Sequence, residues 1–175
     1  MSTDPRGTSS RITRLTAADA IAFRNLRLNG LREHPDAFGA SWEDEAAQSE
    51  AQFSDRLESA VVFGVRSEDG TELDGIVGLY FSQEAKINHK AILWGMYVSA
   101  CKRGSGIGSA LLNAAIFHAT TAVEEVKLTV GTSNASAYRL YNAAGFRQYG
   151  IEQRALKVGD RYYDEALMSL VLPRA

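Results

Sequence analysis

The feature that most constrains this chain is CKRGSGIGSALL, residues 101–112. Glycines alternate at Gly104, Gly106 and Gly108, directly behind Lys102 and Arg103. The preceding AILWGMYVS, 91–99, reads as a strand. After the turn, Ile107, Ala110, Leu111, Ala114 and Phe117 recur at helical spacing, which predicts a helix to about residue 120. A helix N-terminus leaves backbone N–H groups unpaired and carries partial positive charge. Glycines accept φ > 0 and let those groups approach an anion closely. Strand, glycine turn and helix together make an anion site, most often for phosphate. Lys102 and Arg103 add charge-assisted contacts. The plainer alternative is a tight turn that binds nothing.

Two familiar phosphate loops fail on details. A P-loop needs Gly-Lys-Ser/Thr, but Gly108 is followed by Ser109 and Ala110. A dinucleotide fingerprint counted from Gly104 finds Ser109 at its last glycine, and Glu124 and Glu125 precede the next strand instead of closing it. That weakens a nicotinamide oxidoreductase.

The rest of the chain supplies a mixed α/β frame. Ile12 to Leu15 reads as a strand. Thr16 and Asp19 offer capping chemistry for a helix to about Leu31, with Ile21, Leu28 and Leu31 on one face, widened by Phe23 and Leu26. Pro35 and Gly39 break that pattern, and 41–59 reads as one polar helix. Strands are predicted at 60–66, 73–82, 89–98 and 126–130, the first two as an antiparallel hairpin. A helix is expected over 134–144, capped by Gly145. The tail reads as two strands around a turn at 158–160. The sheet is therefore mostly antiparallel, with one parallel crossover between 91 and 130. At 175 residues, 45% hydrophobic and 23% charged, the chain suits one soluble domain over 11–175 behind a disordered leader at 1–10.

Composition narrows the function. The net charge of −2 and the scattered basic residues argue against nucleic acid or an anionic membrane as partner. The apolar runs are too short for a membrane span, and no signal-peptide core is evident; a cytoplasmic location is the expectation. Cys101 is the single cysteine, so no internal disulfide or cysteine metal site is expected.

A second motif follows the first. TVGTSNASAYRLYNAAGF, 129–146, meets the pattern N-x-x-A-x-x-L-Y-x-x-x-G-F in full, and RGSGIG, 103–108, meets R-x-x-G-x-G. Together they resemble the GNAT acetyltransferase superfamily, and the element order is similar from about Ile12 to Leu172. The resemblance implies a splayed strand before the pyrophosphate loop, and acetyl-CoA as co-substrate. Its pyrophosphate would rest on Arg103, Gly104, Ser105, Gly106, Ile107, Gly108 and Ser109. Its pantetheine arm would run along Met96, Tyr97 and Val98, and reach Asn134, Ala137 and Tyr141. Gly95 interrupts a strand of large apolar residues, a usual place for a bulge. The Met96 amide could then polarise the thioester carbonyl. Asn134 also stands where a helix N-cap is expected. The resemblance makes Tyr141 the acid that protonates the departing thiolate, a phenol with a reference pKa of about 10 and so able to donate at neutral pH.

The implied reaction is direct attack on the acetyl carbonyl by a primary amine of a small molecule or peptide. Many relatives carry a glutamate base at the position of Ile92, and no carboxylate occurs between Ala91 and Ser99. Water, Glu84 or His89 are the alternatives, and a non-catalytic acyl-CoA sensor is the competing function. Glu43, Asp44, Glu45 and Glu50 form an acidic cluster that would suit a cationic acceptor or be a solvated helix face. Phe38, Trp42, Trp94, Tyr162 and Tyr163 would line an acceptor pocket or serve as core. The resemblance is compatible with a homodimer. No feature of the sequence names the acceptor.

Overall fold

The computed structural model describes residues 12–173; the leader expected at 1–10 lies outside the described residues. One seven-stranded sheet runs in the order β1-β2-β3-β4-β5-β7-β6. The strands are β1 (Ile12–Arg14), β2 (Val61–Arg66), β3 (Leu73–Phe81), β4 (Lys90–Val98), β5 (Glu125–Gly131), β6 (Arg147–Val158) and β7 (Arg161–Val171). The pair β4·β5 is parallel, and every other neighbouring pair is antiparallel. The helices are α1 (Ala20–Glu33), α2 (Trp42–Ala46), α3 (Glu50–Ser59), α4 (Ile107–Ala119) and α5 (Ala135–Ala143). A sheet with two covered faces needs apolar residues on both, and the core divides accordingly. Val65, Val77, Leu79 and Leu93 pack with Leu111 and Ala115 of α4. Val62, Ile76 and Tyr97 pack with Phe23 of α1 and Phe53 and Leu57 of α3.

Three expectations are corrected. Of the expected face, Leu28 and Leu31 are buried but Ile21 is 58% exposed; α1 also buries Ala20, Phe23, Leu26 and Arg27. A 3₁₀ turn over Ala17–Asp19 precedes α1, and the buried face of α1 includes Arg27, which a hydrophobic pattern cannot select. The segment 41–59 is two helices, not one. Ser41 caps the first through Asp44 N–H, and Ser49 restarts the chain in a reciprocal cap with Gln52. Phe117 is 77% exposed, because α4 turns Ile107, Leu111, Leu112, Ala115 and Ala119 inward. The glycine turn, the single parallel crossover, the cap at Gly145 (φ +101°) and the closing hairpin stand where they were expected.

Candidate active site

The site forms where β4 leaves β5. The two strands pair only over Lys90, Ala91 and Ile92, opposite Glu125, Val126 and Lys127. Beyond Ile92 they splay. On its other side β4 follows β3, but Ile76 faces Tyr97 while Gly78 faces Trp94, so Gly95 and Met96 together oppose Val77. This is a β-bulge, centred on Gly95 at φ +64°. Its consequence is a change of parity. Ala91 and Leu93 point to the α4 face, yet after the bulge that face receives Met96 and Val98, and Tyr97 points to α1. An unbulged strand would have put Tyr97 against α4.

Two cavities open on the splay. The first, of about 640 Å³, is lined by Met96, Tyr97, Val98, Arg103, Gly104, Gly106, Ile107, Gly108, Ser109, Asn134, Ala137 and Tyr141. All the expected cofactor residues are thus brought together except Ser105, whose hydroxyl is turned to the Lys102 carbonyl and shapes the loop. Gly104 and Gly106 adopt φ +76° and +84°, and a Cβ built on either would meet nothing within 4 Å. Open space therefore lies over left-handed glycines at the N-terminus of α4, with Lys102 and Arg103 alongside. That cradle fits the pyrophosphate of a CoA thioester. Arg103 is held toward α1: its Nη2 donates to His34 Nε2 at 2.9 Å and its Nε to the Val98 carbonyl at 3.3 Å. Tyr97 donates its hydroxyl to Glu33 at 2.7 Å. Burial, then that carboxylate, pushes the Tyr97 phenol up to about 12.

The second cavity, of about 370 Å³, shares Phe38, Met96, Gly131, Asn134, Ala137 and Tyr141 with the first. Tyr141 is 7% exposed, and burial pushes its phenol up to about 12. Its ring packs edge-on against Phe146 at 5.9 Å. It remains a neutral phenol across the physiological range and faces both cavities. Asn134 caps α5, its Oδ1 accepting from Ala137 N–H at 3.1 Å.

The sequence did not single out Arg27, Lys127, Tyr149 or Glu165, which line the second cavity together with Trp94 and the half-exposed Ile92. Glu165 is the only carboxylate lining it among the described residues. Burial raises the Glu165 carboxyl, Glu152 directly across the β6·β7 pair adds to this, and a hydrogen bond with Thr129 opposes it. Glu84 and His89 lie in the β3–β4 connection and line neither cavity. Cys101 is exposed and lines neither as well. Of the aromatic set, Phe38 and Trp94 reach the second cavity, Trp42 lines a separate groove, and Tyr162 and Tyr163 line neither cavity.

In the acidic cluster Glu43, Asp44 and Glu50 are exposed, and Glu45 is buried. Glu45 is 4% exposed and binds Arg27 and Arg56. Burial alone would raise its carboxyl, but the two guanidiniums outweigh it and hold Glu45 below its ordinary value. Asp44 closes the Ser41 cap.

No described helix is long and apolar enough to cross a membrane, and the described residues hold no cluster of His, Cys, Asp and Glu able to take a metal. Solved structures share the architecture. A GNAT acetyltransferase from Streptococcus pneumoniae superposes with a TM-score of 0.80 at 21% identity, over 93% of this chain and 98% of its own. A phosphinothricin acetyltransferase from Sinorhizobium meliloti, solved with acetyl-CoA, gives 0.78 at 21% identity over 92% and 87%. The Escherichia coli ribosomal-protein-S18-alanine N-acetyltransferase gives 0.70 at 22% identity over 94% and 94%. Residues 28–146, which carry the bulged strand, the glycine turn and the Tyr141 helix, match the acetyltransferase (GNAT) family, and the chain belongs to it: it is an acetyltransferase of the acetyl-CoA-dependent kind.

Proposed function

We infer that the protein transfers the acetyl group of acetyl-CoA to a primary amine by direct attack. The observation that carries this reading is the meeting of two cavities at Tyr141 and Met96. The cofactor supplies an activated acetyl thioester. The chain does the rest. The turn from Arg103 to Ser109 would hold the pyrophosphate, and β4 from Met96 to Val98 would hold the pantetheine arm. The backbone N–H of Met96, the residue that follows the Gly95 bulge, would polarise the thioester carbonyl. Asn134 and Ala137 border the arm.

The acceptor occupies the second cavity. Its ammonium must lose a proton before attack, and Glu165 takes it in the role that no residue of β4 can fill. The amine nitrogen bonds to the acetyl carbon, the carbon–sulfur bond breaks, and Tyr141 gives its proton to the leaving sulfur. As the amide forms, its nitrogen sheds a second proton, which restores Tyr141 by way of solvent; the amide keeps the third, and the proton taken by Glu165 is the one released per turnover. By name, one structural neighbour acts on a protein alanine and another on phosphinothricin, so the fold alone does not choose between peptide and small molecule. Calorimetric titration with acetyl-CoA, with NADH as control, tests the cofactor. CoA release with an amine panel tests the transfer. Absence of acetyl-CoA binding would overturn the reading.

A further inference from the structure

The wall of the second cavity holds a guanidinium nitrogen that the described residues leave without a hydrogen bond. Arg27 projects from α1, its side chain 8% exposed. Its Nε and Nη2 donate to the two oxygens of Glu45 at 3.1 and 2.9 Å. Glu45 also accepts from Arg56 at 3.0 Å. One buried carboxylate therefore serves two guanidiniums, and the trio keeps a net positive charge. Arg27 Nη1 is buried with no hydrogen-bond partner among the described residues. Buried donors are rarely left so, and a charged one is the most costly to leave. A bidentate ion pair with Glu45 accounts for two nitrogens of the guanidinium. It does not account for the third, on a residue that lines the acceptor cavity.

The position of that nitrogen limits what can satisfy it. A Cβ built on Gly95 would lie 3.2 Å from Arg27 Nη1. Met96 is the next residue, so standard bond lengths place Nη1 within about 8 Å of the Met96 backbone nitrogen. An anion bound by Arg27 is therefore close to the reacting carbonyl. Lys127 adds positive charge to the cavity wall, and Glu165 supplies one carboxylate.

Resting on the acetyl-transfer reading above, we propose that the acceptor is a free α- or β-amino acid, or an analogue with an oxyanion at that position. Its carboxylate docks on Arg27 Nη1 and its amine faces Glu165 and the junction at Tyr141 and Met96. A polyamine would bring further cations beside Arg27 and Lys127. A peptide N-terminus has already converted its α-carboxylate to an amide. The cavity of about 370 Å³ is of small-molecule size. The Phe38 ring stands over the guanidinium, its centroid 5.1 Å from Arg27 Cζ, and Trp94 flanks it at 5.9 Å. Docking on the buried Nη1 therefore requires the Phe38 side chain to turn aside.

The test uses matched pairs: L-amino acids and their C-terminal amides, with putrescine and a short peptide alongside. Acetyl-CoA binding is read by calorimetry and acetylation by CoA release. The free acids are expected to exceed their amides in kcat/KM by about 10- to 100-fold, the worth of a charge-assisted hydrogen bond. The double variant Arg27→Gln/Glu45→Gln removes the buried pair together and leaves Arg56, which is partly exposed, its hydrogen bond to Gln48. It should keep acetyl-CoA affinity and remove the difference between acid and amide. The inference is overturned if amides, putrescine or the peptide match the acids. It is equally overturned if a protein that binds acetyl-CoA acetylates no acid, or if the folded double variant keeps the preference. Should that variant not fold, the wild-type pairs decide. Failure to bind acetyl-CoA at all would instead sink the acetyl-transfer reading itself.

Discussion

Gly106→Ala separates what the glycine turn does for the fold from what it does for the ligand. Gly106 has φ +84°, and a built Cβ meets nothing within 4 Å. The substitution therefore creates no clash. Its cost to the fold is the left-handed conformation alone, about 1–2 kcal/mol. For a chain of this size that lowers Tm by about 2–8 °C. Gly159, in the β6–β7 turn, has φ +58° and is equally open, yet lines neither joined cavity. Gly159→Ala should cost about the same in stability and nothing in acetyl-CoA affinity. At Gly106 the new methyl group enters the cradle and holds the pyrophosphate off the helix-end amides. Losing one or two charge-assisted hydrogen bonds there weakens binding by about 10- to 150-fold. Urea denaturation gives the first quantity and calorimetry the second. Equal acetyl-CoA affinity in the two folded variants would refute the assignment of this turn to the pyrophosphate.

Tyr141→Phe should leave acetyl-CoA affinity nearly unchanged and slow the chemical step by about 10²–10⁴-fold; unaltered single-turnover rates would remove Tyr141 from the mechanism. Glu165 acts as a base only when ionised, and burial followed by Glu152 raises its pKa, so kcat/KM should rise with pH through a limb displaced above the ordinary 4.5. Glu165→Gln should lower kcat/KM at neutral pH by about 10²-fold and flatten that limb; a limb that survives the substitution belongs to another group. Glu45 runs the other way: although burial raises its carboxyl, Arg27 and Arg56 hold it below its ordinary 4.5, so its stabilisation is full above that pH and is lost as pH falls through the lowered folded value. Glu45→Gln should cost about 3–5 kcal/mol near neutral pH by stranding Arg27, with the gap to wild type closing in acid when followed by urea denaturation.

Much of the fold was legible because its elements follow local rules. Alternating strands, the Asn134 cap, the Gly145 stop and the turn at 158–160 each carry their own chemistry in a few residues. The failures lie where tertiary contact overrides pattern. Ile21 and Phe117 fit a helical repeat but belong to faces that no described residue covers. Arg27 does not fit the repeat and is buried, because Glu45, 18 residues later, comes back to meet it. The break between α2 and α3 was readable from Ser49 and Gln52, a reciprocal cap that the polar run obscured.

The site divides along the same line. Its cofactor half is built from main chain: helix-end amides, two left-handed glycines and a bulged strand. Main-chain devices demand particular residues at fixed spacing, so short motifs reveal them. Its acceptor half is built from side chains on α1, the 37–39 segment, β4, β5, α5, β6 and β7, and no spacing connects Arg27, Lys127, Tyr149 and Glu165. Only the sheet brings them to one wall. The absence of a carboxylate at Ile92 was visible in the sequence, but a base offered from β7 was not, since Glu165 sits opposite Gly131 of β5 at the end of the pairing. The two halves meet through the Gly95 bulge. It turns Met96 to the α4 face, sets Gly95 against Arg27, and faces Tyr97 to α1. One inserted residue thus couples a half of the site that motifs disclose to a half that they do not.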